Sequence, residues 1–339
     1  MDAAPSVAVI GAGSWGTTVA ALLCEHAPTI LWGRDVDLMR AIARTHENTA
    51  YLAGIELPGA LEVTSDLDHA CGRAELLVMA VPSHGYRAVL CDVASAITAG
   101  VPVVSVSKGV ERDSLMRMTE VTLDVLEGHR AEQVAVLTGP NLAREVAERQ
   151  PAASVIACSD SELASRLQRL FMTESFRVYT TPDVVGCEIA GALKNVVAIA
   201  VGVAAGLGYG DNAQAALVTR GLAELTRLGV ALGGEPLTFA GLAGLGDLVA
   251  TCTSAQSRNR TVGYELGRGR GLADIVAEMN MVAEGVRSTA AVLELAARVN
   301  VEMPIATIVG AVLYEGRRPA DLVPELMLRQ AKPELHGLR

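Results

Sequence analysis

The chain has 339 residues, and because half of them are apolar and only 19% are charged, it can form a large hydrophobic core and is not a disordered chain. Aromatic residues make up 3%, and 38 acidic residues against 28 basic ones give a formal net charge of −10. An acidic chain with few aromatic side chains is not expected to bind nucleic acid, although local basic groups can bind a small anion. At roughly 150 residues per domain, the length predicts two domains.

Cysteine spacing and hydropathy predict a reduced, cytoplasmic protein that contains no metal site. The six cysteines form no C-x-x-C pair, and no group of cysteines and histidines has the spacing of zinc ligands. The N-terminal residues Met1–Pro5 lack a basic start, so we expect no secretory leader. The most apolar run, Val196–Leu207, has twelve residues. Because a membrane-spanning helix needs roughly 20 residues, we expect no membrane insertion.

Short apolar runs and helical stretches alternate over the N-terminal part of the chain. The apolar runs predict strands at Val7–Ile10, Ile30–Trp32, Leu76–Val81, Val103–Val106, Val134–Leu137, Ser154–Ala157 and Arg177–Thr180. The stretches between several of them predict helices at Thr17–His26, Tyr86–Ile97, Ser114–Leu126 and Ser161–Met172. This alternation predicts an α/β fold with a doubly wound, mostly parallel sheet of the Rossmann-like type.

The strand pattern stops near Asp183, and helical periodicity dominates the rest of the chain. Helices are predicted at Val184–Leu207, Ala213–Leu232, Glu284–Val299 and Ile305–Tyr314. We therefore expect a dinucleotide-binding domain over residues 1–182, followed by an all-α substrate-binding domain over residues 183–339.

A G-x-G-x-x-G motif lies between the first predicted strand and the first predicted helix. Gly11 permits the tight turn, Gly13 lets a pyrophosphate approach the backbone, and Gly16 lets the helix pack closely on the strand. The start of that helix presents free N–H groups and the positive end of its dipole to phosphates. The motif in this context predicts a dinucleotide cofactor.

The end of the second predicted strand indicates which dinucleotide is bound. A site specific for NAD usually has an acidic residue there for the ribose diol, whereas this chain has Arg34 followed by Asp35. The planar guanidinium of Arg34 suits a 2′-phosphate, while Asp35 remains able to serve a diol. We expect NADP to be preferred and NAD to be accepted. Arg34 as an ordinary surface charge is the alternative.

Two polar motifs follow later strands, at the edge where a doubly wound sheet binds its ligands. Lys108 follows the fourth predicted strand and is expected to contact a ligand. The motif Thr138–Asn141, which contains Gly139, fits backbone donors near a nicotinamide and equally well a simple turn into the next helix. His84, at another strand end, is a rival candidate for proton transfer.

Polar residues in the helical region point to acid–base chemistry and to phosphate binding. Lys194 begins the apolar run, and burial would lower the pKa of its amine towards that of a general acid–base. A lysine that extends its ammonium out of a helix end is the alternative. Asp247 follows a glycine-rich turn. Ser257, Arg258 and Asn259 open a predicted helix and fit a phosphate pocket, with arginines in a solvated loop as the alternative.

Nine short motifs occur in order along nearly the whole chain. They are Gly11–Gly16, Trp32–Arg34, Val81–Ser83, Ser107–Gly109, Gly139–Pro140, Gly191–Asn195, Gly241–Asp247, Ser257–Asn259 and Val282–Gly285. Together they resemble the motifs of the bacterial glycerol-3-phosphate dehydrogenase [NAD(P)+] family.

The resemblance implies the residues of the site. The cofactor would be contacted by Ser14, Trp15, Arg34, Lys108, Ala143, Arg258, Val282 and Glu284, besides the three glycines. The substrate would be contacted by Lys108, Gly139, Asn141, Lys194, Asp247, Ser257, Arg258 and Asn259. Lys194 would accept the proton, or donate it in the reductive direction. Because many relatives have a small hydroxyl residue in place of Asn141, we expect a changed contact there.

The resemblance also implies a reaction and a setting. Hydride transfer between NAD(P)H and dihydroxyacetone phosphate would give sn-glycerol 3-phosphate for glycerophospholipid biosynthesis, catalysed by a cytoplasmic homodimer. Two alternatives stay open: a related hydroxy-acid dehydrogenase of the 3-hydroxyisobutyrate or 6-phosphogluconate type, and an NADPH-binding sensor without turnover. The hydroxy-acid enzymes usually lack a pocket like Ser257–Asn259.

Overall fold

The computed structural model describes residues 4–279 and 283–334. These residues form two compact units. The first contains the described residues up to Lys108 together with Met116–Val184, and the second contains Gly109–Leu115 together with the described residues from Val185 onward. The short segment Gly109–Leu115 thus groups with the second unit although it lies far earlier in the sequence.

The first unit contains a single sheet. Its strands, numbered in chain order, are β1 Val7–Ile10, β2 Thr29–Trp32, β3 Glu62–Thr64, β4 Leu76–Met79, β5 Val103–Ser105, β6 Val134–Thr138, β7 Ala152–Ala157 and β8 Phe176–Thr181. They lie in the order β3-β2-β1-β4-β5-β6-β7-β8, and every neighbouring pair is parallel except β6 and β7. The first six positions have the strand order of a Rossmann sheet. The α/β, Rossmann-like fold predicted from the sequence is therefore confirmed.

Helices cover both faces of this sheet. They are α1 Ser14–Leu23, α2 Val36–Thr45, α3 Leu67–Cys71, α4 Ser83–Ala94, α5 Met118–Val125, α6 Ala143–Ala147 and α7 Ser161–Phe171. In β1, Val7 and Val9 pack into one apolar cluster, whereas Ala8 and Ile10 pack into another. Because successive side chains of a strand point to opposite faces, an apolar core lies on each side of the sheet.

The strands and helices predicted for this unit are confirmed, with ends shifted by a few residues, but β3, α2 and α3 escape prediction. The strand β3 has three residues, lies at the edge of the sheet and contains polar Glu62 and Thr64. Helix α2 is amphipathic and buries Met39 and Ile42 between charged residues, whereas α3 has only five residues.

Helices make up the second unit over its described residues. They are α8 Val184–Gly206, α9 Asp211–Ala231, α10 Pro236–Ala240, α11 Asp247–Thr253, α12 Arg258–Gly267, α13 Leu272–Glu278, α14 Glu284–Arg298, α15 Pro304–Tyr314 and α16 Pro319–Met327. A five-residue π-helical turn, Leu242–Gly246, leads into α11. The four helices predicted in this region are confirmed within one or two residues of each end.

Helix α8 is longer than the apolar run from which its environment was inferred. It has 23 residues, and an 18-residue window of it has a mean hydropathy of 1.8, so its length and composition alone would allow it to cross a membrane. The length of the twelve-residue apolar run is therefore not an argument against a membrane span. Lys194 and Asn195 interrupt the apolar pattern without ending the helix. Within the described structure 83% of that window is buried, as in the core helix of a globular domain.

Four glycines bring the backbones of α8 and α12 into contact. A Cβ atom on Gly202 or Gly206 of α8 would lie 2.1 Å from a backbone oxygen of α12. A Cβ atom on Gly263 or Gly267 of α12 would lie 2.0 Å or 2.4 Å from a backbone oxygen of α8. Side chains are excluded at these distances. The side chains that α8 carries are thereby fixed in position relative to the start of α12.

A buried carboxylate caps α15. Glu224 of α9 is 4% exposed, and its oxygens accept hydrogen bonds from the N–H groups of Ile305 (2.7 Å) and Ala306 (3.3 Å). These N–H groups lie in the first turn of the helix, where no intrahelical partner exists. Burial raises the pKa of Glu224 to about 7, although the two N–H groups, Arg227 and Arg329 oppose the shift.

The raised pKa of Glu224 predicts that the protein loses stability as the pH rises. The folded state keeps a proton on Glu224 up to about pH 7, whereas the unfolded chain releases it near its ordinary value of 4.5, so the free energy of unfolding falls between these values. The loss is on the order of 3 kcal/mol. Urea unfolding at about pH 5 and about pH 8 should show this loss in the wild type and not in Glu224→Gln. Equal pH dependence in both proteins would contradict the assignment.

Candidate active site

Several predicted ligand residues lie at one edge of the sheet. The strands β1, β2, β5 and β6 all run in the same direction, so their carboxyl ends lie at the same edge of the sheet. Gly11 follows β1, Arg34 lies two residues beyond β2, Lys108 follows β5 and Gly139 follows β6. This is the edge at which open α/β sheets bind their ligands.

The glycine turn after β1 has the backbone that the motif requires. Gly11 has φ +120°, and a Cβ atom there would lie 2.6 Å from the backbone oxygen of Ala80. A Cβ atom on Gly16 would lie 1.9 Å from the oxygen of Gly11, so the helix packs directly on the turn. A Cβ atom on Gly13 would meet no protein atom within 4 Å. The protein itself gives no steric reason for that glycine, whereas a pyrophosphate approaching the backbone does.

The start of α1 fits the phosphates of a dinucleotide. Its N-cap residue, Gly13, offers no side chain to the N–H groups of the first turn. Ser14 donates its hydroxyl hydrogen to the backbone oxygen of Tyr51 at 2.7 Å. The indole N–H of Trp15 is buried and has no partner in the described part of the chain, while its ring lies 6.4 Å from that of Phe176. A buried donor without a partner is costly, so Trp15 fits a site completed by a ligand.

The structure distinguishes the two residues that were considered for cofactor choice. Asp35 caps α2: its Oδ1 accepts hydrogen bonds from the N–H groups of Asp37 (3.1 Å) and Leu38 (3.0 Å). Arg34 is exposed and forms no hydrogen bond or salt bridge with any residue that the structure describes. Asp35 is thus committed to the helix, and Arg34 has a guanidinium available for an anion.

Lys108 and the Gly139–Asn141 turn contact each other. The Lys108 ammonium donates to the backbone oxygen of Gly139 at 2.9 Å. Gly139 has φ +141°, and a Cβ atom there would lie 3.1 Å from Ser154. Asn141 Oδ1 lies 3.1 Å from the Ser154 hydroxyl, while its buried Nδ2 has no partner among the described residues. Ala143 opens α6, and its backbone oxygen accepts a hydrogen bond from Thr18 of α1.

The second unit buries a charged pair. Lys194 of α8 is 6% exposed, and its ammonium lies 2.5 Å from Asp247 Oδ1 and 2.8 Å from Thr251 Oγ1. The Thr251 hydroxyl donates to the backbone oxygen of Asp247, one turn earlier in α11, and so presents a lone pair to the ammonium. The carboxylate favours the charged form of Lys194, an effect that the sequence argument, based on burial alone, omitted.

The thiol beside this pair takes no part in proton transfer near neutral pH. Burial raises the pKa of Cys252 to about 12, although Lys194 and Arg260 oppose the shift. His84, the rival proton carrier, is exposed near the start of α4. Of the two proton carriers considered from the sequence, Lys194 is therefore the buried one, with a carboxylate against its ammonium.

Two asparagines link three helices near the lysine. Asn259 of α12 donates from Nδ2 to Asn195 Oδ1 at 3.0 Å, and its Oδ1 accepts from the N–H of Gly285 at 2.9 Å. A Cβ atom on Gly285 would lie 2.8 Å from the backbone oxygen of Asn195. Asn195, Thr251 and Gly285 were not predicted as functional residues. Thr251 lies one turn after Asp247 on the same helix face, which is the signal that identifies it.

The predicted phosphate pocket begins α12. Ser257 is its N-cap and accepts a hydrogen bond from the N–H of Arg260 at 3.2 Å. Desolvation lowers the pKa of the Arg258 guanidinium, and the carboxylate of Glu284, the first residue of α14, opposes this shift. Val282 lies outside the described residues. The three predicted residues thus lie together at the start of α12, where the side-chain amide of Asn259 is hydrogen-bonded to Asn195 and Gly285.

The fold and these groups define a class of protein. The chain combines a Rossmann-like sheet and its glycine turn with a helical unit that buries a lysine ammonium against a carboxylate. This combination is typical of two-domain dehydrogenases that use NAD or NADP.

Two family models match most of the chain. One is described as the N-terminus of NAD-dependent glycerol-3-phosphate dehydrogenase and matches residues 6–164. The other is described as the C-terminus of the same enzyme and matches residues 183–324. The chain belongs to the NAD-dependent glycerol-3-phosphate dehydrogenase family.

Individual relatives agree with this assignment. A protein of Sphingopyxis alaskensis, named glycerol-3-phosphate dehydrogenase [NAD(P)+] 2, is 53% identical over 330 residues, which cover 97% of this chain and 98% of its own. A protein of Thermobifida fusca, named glycerol-3-phosphate dehydrogenase [NAD(P)+], is 51% identical over 336 residues, which cover 98% of this chain and 99% of its own. The crystal structure of glycerol-3-phosphate dehydrogenase from Coxiella burnetii has a TM-score of 0.92 at 35% identity and covers 96% of this chain and 99% of that one.

The buried pair predicts a strong coupling between two substitutions. Because Lys194→Met or Asp247→Leu leaves one charge buried without its partner, each should lower the free energy of unfolding by about 3–5 kcal/mol. The double variant, which buries no charge, should lose much less than the sum of the two. Urea unfolding of the four proteins measures this coupling. Additive losses would contradict a direct interaction between the two side chains.

Proposed function

We propose that this protein catalyses reversible hydride transfer between NAD(P)H and dihydroxyacetone phosphate, giving sn-glycerol 3-phosphate. The observation that carries the proposal is the buried Lys194 ammonium, held 2.5 Å from Asp247 and 2.8 Å from Thr251. It occurs in a chain that is 53% identical to a relative named for this activity. A buried and oriented ammonium is a suitable proton donor for the oxygen of a ketone.

Residues 1–182 form the dinucleotide-binding domain in this proposal, and residues 183–339 form the substrate-binding domain. The N–H groups at the start of α1 hold the pyrophosphate beside Gly11, Gly13 and Gly16. Further contacts to the cofactor come from Ser14, Trp15, Arg34, Lys108, Ala143, Arg258 and Glu284. When bound, the reduced nicotinamide supplies the hydride. Because Arg34 can pair with a 2′-phosphate, NADP is preferred over NAD.

The helical residues hold the substrate and move the proton. Ser257, Arg258 and Asn259 bind the phosphate, since a helix start and a guanidinium both favour an anion. Lys108, Gly139 and Asn141 contact the substrate from the first domain. As the ketone oxygen gains negative charge, the ammonium of Lys194 donates its proton, and Asp247 keeps that ammonium charged and oriented. In the oxidative direction the neutral amine takes the proton back.

We place the enzyme in the cytoplasm as a homodimer, supplying the glycerol phosphate backbone of phospholipids. Family members commonly have this setting, and the substrate is a small molecule. Sedimentation of the purified chain tests the dimer, since a single species with the mass of one chain would contradict it.

A direct assay tests the activity. Nicotinamide absorbance should fall when dihydroxyacetone phosphate is added to the protein and NADPH. In a separate assay with NADP+ as the hydride acceptor, oxidation of 3-hydroxyisobutyrate or 6-phosphogluconate, with no turnover of dihydroxyacetone phosphate, would favour the hydroxy-acid enzymes. Binding of NADPH without turnover of any of these compounds would favour the sensor.

Replacing the proposed proton donor should remove turnover without removing the cofactor. We expect Lys194→Ala to lower kcat by about 10²- to 10⁴-fold while NADPH binding, followed by fluorescence, stays nearly unchanged. The double variant Lys194→Met/Asp247→Leu provides a second inactive protein in which no charge is left unpaired. Near-normal turnover in either variant would refute the acid–base role.

Removing the Arg34 guanidinium should change cofactor preference. We expect Arg34→Ala to weaken the binding of NADPH by about tenfold or more and the binding of NADH much less, because only NADPH has the 2′-phosphate. Arg40→Ala is the matched control, since Arg40 is an exposed arginine of α2. Equal weakening of both cofactors by Arg34→Ala would show that Arg34 does not contact the 2′-phosphate.

A further inference from the structure

A cavity lies in the second unit, among α8, α9, α15 and α16. Its volume is about 820 Å³, within the range of roughly 300–1,000 Å³ found for small-molecule sites. Its walls are aliphatic and include Ile199, Val203, Leu207, Ile308, Val312 and Val323. The proposed catalytic and phosphate-binding residues, Lys194, Asp247 and Ser257–Asn259, do not line it. The cavity is thus a separate feature of the helical unit.

Charged side chains interrupt this apolar lining. Arg220, Glu224 and Arg227 lie four and three residues apart on α9 and so share its cavity face. Glu302, Arg329 and Lys332 complete the charged part of the lining. Four cations therefore face two carboxylates, and the lining carries an excess of positive charge.

Both carboxylates already accept hydrogen bonds or form salt bridges, whereas the hydrogen bonds of Arg220 and Arg227 go to backbone oxygens. Glu302 Oε2 lies 2.8 Å from the ammonium of Lys332 and 3.2 Å from Arg329, and Glu224 caps α15. Arg220 and Arg227 each donate to a backbone oxygen, of Glu334 (3.0 Å) and Glu302 (3.4 Å). In the described part of the chain, neither forms a salt bridge with a carboxylate. An anion at this place would neutralise the excess charge.

We propose that this cavity is a binding site for an amphipathic anion with one saturated hydrocarbon chain and a carboxylate head. The aliphatic walls bury the chain, and the guanidinium groups of Arg220 and Arg227 bind the head. Tyr209 is the only aromatic residue of the described lining, so stacking of a nucleotide base is not supported. The proposal concerns binding alone and is independent of the enzymatic activity.

Titration calorimetry with fatty acids tests the site on the full chain. Decanoate, undecanoate and dodecanoate, each below its micellar concentration, should bind with one molecule per chain, and each added methylene should tighten the Kd about fourfold. Dodecanol and dodecyltrimethylammonium should bind at least tenfold more weakly than dodecanoate. Equal affinity of the three dodecyl compounds, or no dependence on chain length, would overturn the proposal.

Substitutions on α9 locate the binding. Ala216 lines the cavity and is exposed, so Ala216→Trp fills the space without disturbing the core and should abolish dodecanoate binding. Thr219→Trp places the same ring at an exposed position of α9 that does not line the cavity, and binding should persist. Arg220→Gln should weaken the binding of dodecanoate about tenfold, whereas Arg166→Gln on α7 should leave it unchanged. Equal effects of each variant and its control would overturn the proposal.

The same variants distinguish a ligand site from an interface between copies of this chain. Sedimentation of the wild type and Ala216→Trp should give the same oligomeric state. If Ala216→Trp separates the copies, the cavity belongs to an interface and the proposal fails. Neither readout involves turnover, so a failure here leaves the proposed dehydrogenase activity untouched.

Discussion

The chemistry proposed for the helical unit depends on one buried ion pair, Lys194 with Asp247. Burying two charges costs several kcal/mol for each ion, and apolar residues of similar volume often stabilise a fold as well or better. Stability alone therefore gives little reason for the pair. An ammonium held by a carboxylate and by Thr251 is oriented and charged before any substrate arrives, which is what proton donation to a developing oxyanion requires.

Backbone contacts that only glycine permits position this pair. Gly202 and Gly263 let α8 and α12 touch, which fixes Asn195 against Asn259. On the other side, the π-helical turn before α11 is so tight that a Cβ atom on Gly244 would lie 2.1 Å from a backbone oxygen. Such turns often occur at functional sites. Close backbone contacts thus explain the glycines at these three positions.

Periodicity and motif spacing predict the sheet, the long helices and the glycine turn, because these depend on local patterns. They do not predict β3 and α3, which are short, or α2, in which charged residues separate the apolar ones. For the site, a motif identifies Lys194, but no local signal indicates that Asp247, far away in sequence, neutralises it. Asp35 illustrates the same limit, since only the structure reveals that its carboxylate caps a helix. Contacts between distant segments are the information that a single sequence lacks.

The two threonines of α11 offer the most direct test. Thr251 and Thr253 both donate to the backbone oxygen one turn earlier, but only Thr251 contacts the Lys194 ammonium. If that contact orients the proton donor, Thr251→Val should slow single-turnover hydride transfer by about 10- to 100-fold, with NADPH affinity unchanged, and Thr253→Val should not slow it. Equal rates in the two variants would contradict the proposal that this buried network performs the proton transfer.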